Sequence, residues 1–147
     1  MSQVMSIRLQ DHQMVRLGRI SRRLGKRPSE TVTLLVEEAL RMAEYPQIDF
    51  RDSMAGRQAY VKGSGLAVWE VVMVARDYKG DAEKVAAHLQ WPLTRVQAAL
   101  IYARDYPDDV NAALADNDAC DFAALQRLLP QAQLIGVPAE ALPTESA

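Results

Sequence analysis

Between Gln3 and Leu9 the chain alternates: Met5, Ile7 and Leu9 fall on one side of an extended backbone, Val4, Ser6 and Arg8 on the other. This pattern predicts one short strand. From Asp11 the apolar spacing lengthens to that of a helix, with Met14, Leu17, Ile20 and Leu24 on one face. Gly18 weakens that helix and Gly25 ends it. A second helix opens at once. Pro28 suits its first turn, Glu30 adds favourable charge there, and Val32, Leu35, Val36, Ala39, Leu40 and Ala43 form an apolar stripe that Pro46 closes.

Residues 45–50 read as short and extended, and Gly56 marks a turn. Residues 59–61 and 66–67 flank Lys62, Gly63, Ser64 and Gly65, which predicts a hairpin with a glycine turn. The Gly63-Ser64-Gly65 trio lacks the spacing and the Lys-Ser/Thr ending of a phosphate loop. Helical spacing then runs over residues 68–78 and stops at Gly80. Asp81 caps a short helix carrying Val85, Ala86 and Leu89, the pair Trp91-Pro92 breaks the chain, and helices follow over residues 94–106 and 108–116. Residues 81–104 have the outline of a helix-turn-helix. Tyr60, Trp69, Trp91 and Tyr102 fit a core better than a ligand site. A last short helix, residues 122–129, carries Phe122, Leu125, Leu128 and Leu129 and meets Pro130. Beyond it stand the apolar residues Leu134, Ile135, Val137 and Leu142, separated by Pro138 and Pro143.

A unit of one strand and two helices, ~45 residues long, cannot bury much core alone. No neighbouring segment offers the strand at residues 3–9 a partner, and unpaired backbone groups are costly when buried. The same strand from a second chain, antiparallel about a two-fold axis, is the simplest completion. Met5, Ile7 and Leu9 would cover a shared core, and Val4, Ser6 and Arg8 of both chains would form an outward ribbon of a size that fits the major groove of DNA.

Charge agrees with that orientation. The 147-residue chain has a formal net charge of −2, but its cations gather early: Arg8, Arg16, Arg19, Arg22, Arg23, Lys26 and Arg27 face Asp11 alone in residues 1–29. Acids gather late: Asp108, Asp109, Asp116, Asp118, Asp121, Glu140 and Glu145 face Arg127 alone after residue 106. A basic head suits phosphate and an acidic tail suits a basic partner.

Val4-Met-Ser-Ile-Arg-Leu9, a helix, and then Gly25-Lys-Arg-Pro-Ser-Glu30 leading into an apolar helix resemble the ribbon-helix-helix repressors, a family that includes many bacterial antitoxins. The resemblance spans about residues 3–44. It implies base reading by Val4, Ser6 and Arg8, and phosphate binding at the start of the second helix by Lys26, Arg27, Ser29 and Glu30, where free amides favour an anion. Gln10 stands where the family often has proline, and Val4 where it usually has a polar residue. Over residues 45–117, Tyr45-Pro-Gln-Ile48, Ala55-Gly-Arg57, Gly63-Ser-Gly-Leu-Ala-Val-Trp-Glu-Val-Val72, Val96-Gln-Ala-Ala-Leu-Ile-Tyr102 and Tyr106-Pro-Asp-Asp109 resemble a small winged-helix-like domain of VapB-like antitoxins, which are encoded beside PIN-like nuclease toxins.

The expected fold is therefore mainly α: a ribbon-helix-helix dimerisation and DNA-binding domain over residues 1–44, forming an intertwined dimer, a helical helix-turn-helix domain with a short β-hairpin over residues 45–117, and a partner-binding or disordered tail over residues 118–147. The expected partners are double-stranded operator DNA, a second copy of the chain and, through residues 110–142 and chiefly Phe122, Leu125, Leu128 and Leu129, a PIN-like toxin. Thr94, Arg95, Gln97 and Arg104, with Ile101 among them, are a possible second DNA contact; a plain helical scaffold is the competing reading of the same helix. A free-standing regulator with an oligomerisation or ligand-sensing second domain, and an adaptor with no DNA role, are the alternative functions. No nucleophile elbow, zinc-protease motif or phosphate loop suggests an enzyme. The paired acids Asp108 and Asp109 follow a helix-opening proline and complement its dipole. Cys120, His12 and His88 are too few for a metal cage, so no cofactor is expected. A cytoplasmic location is expected, because no long apolar run or leader is visible.

Overall fold

The computed structural model describes residues 1–136. These form helices α1 (Asp11–Leu24) and α2 (Pro28–Glu44), strands β1 (Ile48–Ser53) and β2 (Gly56–Val61), and helices α3 (Val68–Asp77), α4 (Ala82–Leu89), α5 (Leu93–Asp105), α6 (Pro107–Ala119) and α7 (Phe122–Leu128). The protein is mainly helical, with one two-stranded antiparallel sheet among the described residues. None of the described helices is long and apolar enough to cross a membrane. The expected anchors Val137 and Leu142, with Pro138 and Pro143, lie outside the described residues.

The chain divides into two compact units, Met1–Asp105 and a second that begins at Tyr106. The core of the first unit lies where α3, α4 and α5 pack on one another and on one end of the hairpin. Val68, Val71, Val85, Val96, Ala99 and Tyr102 are buried there. Ile48 and Val61 face each other across the strands and are buried too. Each fully buried valine or isoleucine is worth about 1.5–3 kcal/mol relative to exposure, so this end of the sheet is the anchored one. The other end, at Met54, is open to solvent.

Local chemistry explains the element boundaries. Asp81 accepts hydrogen bonds from the amides of Glu83 and Lys84 and so caps α4. Gln90, in the left-handed conformation, ends α4, and the amide of Trp91 returns to the carbonyl of Ala86 at 2.9 Å. Helix α5 follows after that short turn. In the second unit Pro107 opens α6, whose buried residues are Val110 and Leu114, and Asp121 caps α7 through the amide of Ala124.

Three expectations change. The hairpin lies one element earlier than the glycine trio suggested. Its turn is Met54-Ala55, closed by Ser53 opposite Gly56, and Gly56 has φ 101°, a value that favours glycine. Residues 59–67 keep only a single bridge between Tyr60 and Ala67, with the Ser64 hydroxyl bonded to the Val61 carbonyl inside the turn. Second, residues 3–9 form no strand: among the described residues no segment pairs with them, and a strand exists only against a hydrogen-bonded neighbour. Third, the apolar stripe of α2 is not its buried side in the single chain. Val36 and Leu40 are about half exposed and Ala39 and Ala43 are exposed, whereas Thr31 and Glu38 are buried. Hydrogen bonds and an ion pair, described below, make that polar burial tolerable.

Candidate nucleic-acid interface

The corner between α1 and α2 is built by local geometry. Gly25 adopts φ 63°, which lets the amide of Lys26 reach back to the carbonyl of Ser21 at 3.0 Å. Across the corner the buried Ser21 hydroxyl donates to the Thr31 hydroxyl at 2.9 Å, and Thr31 donates to the Arg27 carbonyl at 3.1 Å. These bonds fix how the two helices meet and leave Arg22, Arg23, Lys26 and Arg27 exposed on the outside of the turn.

Of the expected phosphate-binding residues, Lys26, Arg27, Ser29 and Glu30 are brought together here, all exposed. Glu30 already has local partners. Its carboxylate accepts from the Arg27 amide at 3.0 Å and from the Arg27 guanidinium at 3.1 Å. These bonds, side chain first, hold its carboxyl below the ordinary range. Glu30 is thus the cap of α2. The Arg27 amide is taken, and the first-turn amides of Ser29 and Glu30, which have no intrahelical acceptor by position, are the ones left to an anion.

The expected base-reading residues Val4, Ser6 and Arg8 all lie on the exposed N-terminal segment, where Val4 is 98% accessible, and Leu9 alone is half-buried. Met5 and Ile7, expected to cover a core, are exposed as well.

Sequence reading missed a charged chain that joins this corner to the hairpin. Glu38 of α2 and Arg57 of β2 form a two-bonded pair at 2.7 and 2.8 Å, with the Glu38 side chain 5% exposed. The third nitrogen of Arg57 reaches Asp52 of β1 at 3.0 Å, and Asp52 also lies 3.4 Å from Arg23 of α1. The bonds to Glu38, outweighing the penalty of burial, raise the basicity of Arg57 above that of a free guanidinium. Nearby, Tyr102 of α5 is fully buried. It accepts a hydrogen bond from Arg41 of α2 at 3.0 Å and meets the Tyr45 ring edge-on at 5.3 Å. Arg51, on the other face of the hairpin, bonds Asp49 and the Ser64 carbonyl and lies 4.8 Å from the centre of the Tyr60 ring. The lone sequence signal for the chain is the seven-residue step from Thr31 to Glu38, which puts both on one side of α2; nothing local names Arg57 or Asp52 as partners.

The possible second contact is less concentrated. Thr94 and Gln97 are exposed at the start of α5, and Arg95 lies 5.3 Å from the centre of the Trp91 ring. Arg104 stands nine positions further along, roughly 14 Å down the helix axis, and is paired with Asp105 at 2.9 Å. The four residues therefore do not form one cluster. On α7, Phe122 is half-buried, while Leu125 and Leu128 are exposed and share a face by their spacing; Leu129, just past the helix end, is exposed too. Leu134 and Ile135 are exposed beyond them. No group of three or more His, Cys, Asp or Glu side chains among the described residues is placed to hold a metal ion. Comparison of the chain with family models, with curated proteins and with solved structures gives no match.

Proposed function

We propose that this protein is an antitoxin that binds its operator DNA as a homodimer through residues 1–44 and neutralises a PIN-like ribonuclease. The observation that carries the DNA-binding part is the state of the N-terminal segment. It alternates as a strand should, carries Arg8 on one side, and has no backbone partner among the described residues. Beside it in the sequence, the apolar stripe of α2 is exposed at Val36 and Leu40. Both features suit a second copy, whose equivalent strand would complete the ladder and whose α2 would cover the stripe. The ribbon so formed would carry Arg8 twice, with the cations of the α1–α2 corner on either side. The neutralising part rests on the likeness of residues 45–117 to VapB-like antitoxins. It is supported by the acidic second unit, in which Leu125 and Leu128 of α7 and the adjoining Leu129 are exposed to solvent.

The test is a gel shift on the DNA upstream of the gene, with and without the Arg8→Ala substitution. Base contacts are worth about 1–3 kcal/mol each and occur twice in a dimer. The variant is expected to remain dimeric while losing at least about thirtyfold in affinity. Full affinity in the variant refutes the reading of that face. Co-purification with the neighbouring gene product tests the antitoxin part separately.

A further inference from the structure

The α1–α2 corner carries more cations than it leaves free. Arg27 is held by Glu30, and Arg23 is held by Asp52. Arg22 and Lys26 have no carboxylate within pairing distance among the described residues. The two restraining carboxylates differ in origin. Glu30 is a local cap within α2, whereas Asp52 comes from the hairpin, directly across the strands from Arg57.

Asp52 is not needed to hold the hairpin in place. Arg57 is already fixed to the buried Glu38 by two short bonds, and Ile48 and Val61 anchor the far end of the sheet. The Asp52 side chain is 47% exposed and that of Arg23 63%, so their pair adds little to stability. Its effect is electrostatic. It places a negative charge 3.4 Å from an arginine on the same exposed corner as Lys26 and Arg27.

We infer that Asp52 is an internal counter-anion for Arg23, through which the hairpin sets how strongly the corner binds DNA phosphate. A phosphate that takes Arg23 must draw it away from Asp52, which keeps Arg57 at 3.0 Å. While Arg23 stays with Asp52 it neutralises no phosphate and releases no counterion from DNA. This inference rests on the DNA-binding reading of the corner, and Arg8 has no part in it.

The experiment measures affinity for a short mixed-sequence DNA duplex over a range of salt, because phosphate contacts do not depend on sequence. Wild type, Asp52→Asn, Arg23→Ala and the double variant are compared, with Asp77→Asn, an exposed acid on α3, as the control for net charge. Asp52→Asn is expected to bind more tightly than wild type. Its log-log salt slope should be steeper by about 0.9 per protomer, or about 1.8 per dimer. Its advantage at about 50 mM salt should then be roughly twelve times its advantage at about 200 mM. Adding Arg23→Ala should abolish the gain, and Asp77→Asn should not reproduce it. An unchanged slope in Asp52→Asn, a gain that survives without Arg23, or an equal gain from Asp77→Asn overturns the inference while leaving the DNA-binding reading intact. Absence of salt-sensitive binding by wild type overturns both.

Discussion

Removing Glu38 strips the half-buried Arg57 of its main partner. The pair has two bonds of 2.7 and 2.8 Å, with side chains 5% and 24% exposed. Breaking a buried ion pair from one side costs about 3–5 kcal/mol, mostly through the charge left behind. In Glu38→Ala the orphan is Arg57, which keeps Asp52 at 3.0 Å and some access to water, so the cost falls near the lower end, about 3 kcal/mol. In Arg57→Ala the orphan is a nearly inaccessible carboxylate, and the cost moves towards ~5 kcal/mol. For a unit of this size about 3 kcal/mol lowers Tm by roughly 12 °C. Replacing both, as Glu38→Leu with Arg57→Met, removes both charges and should restore stability to within ~1 kcal/mol of wild type. Thermal and urea unfolding at fixed protein concentration compare wild type with these three variants. Single variants within about 0.5 kcal/mol of wild type, the range of ordinary surface changes, refute the view that this pair is a buried joint. So does a reversed order of the two.

Two further predictions follow from exposed groups. In the proposed dimer, Leu40→Glu would place a carboxylate in the seam between two α2 helices. Burying an unpaired charge costs several kcal/mol, so dimer affinity, measured by sedimentation velocity, should weaken at least ~100-fold; an unchanged dimer removes α2 from the interface. The Asp105 carboxyl is held below its ordinary 3.8 by hydrogen bonds from Arg104 and then Tyr45. Its contribution to stability is therefore present above that pH and lost as the pH falls through the lower folded value. Asp105→Asn should accordingly be less stable at neutral pH, with a gap from wild type that closes on acidification; a gap independent of pH contradicts this.

Features set by neighbours in the chain were legible before the structure. Gly25, Pro28 and Asp81 mark helix ends because turn geometry and capping act over a few residues. The hairpin was misplaced for a related reason. Gly63 and Gly65 look like turn residues and do sit in a turn, yet the strands pair around Met54-Ala55, where Gly56 is the lone local clue. The stripe on α2 was legible as a pattern. Which face of α2 is buried within one chain depends on what packs against it, and there Arg57 reaches Glu38 across nineteen positions of sequence. Of the candidate interface, the basic corner was readable from composition. That Glu30 and Asp52 restrain two of its arginines was not, since charge counts carry no geometry.

The joint between Glu38 and Arg57 also limits how such a chain can be cut or recombined. A fragment ending with α2 would retain a carboxylate shaped for burial and lose the arginine that makes burial tolerable. A fragment beginning at the hairpin would inherit the complementary defect. Head and hairpin must therefore be inherited together, or each half must change its side of the joint before it can be fused to a new neighbour.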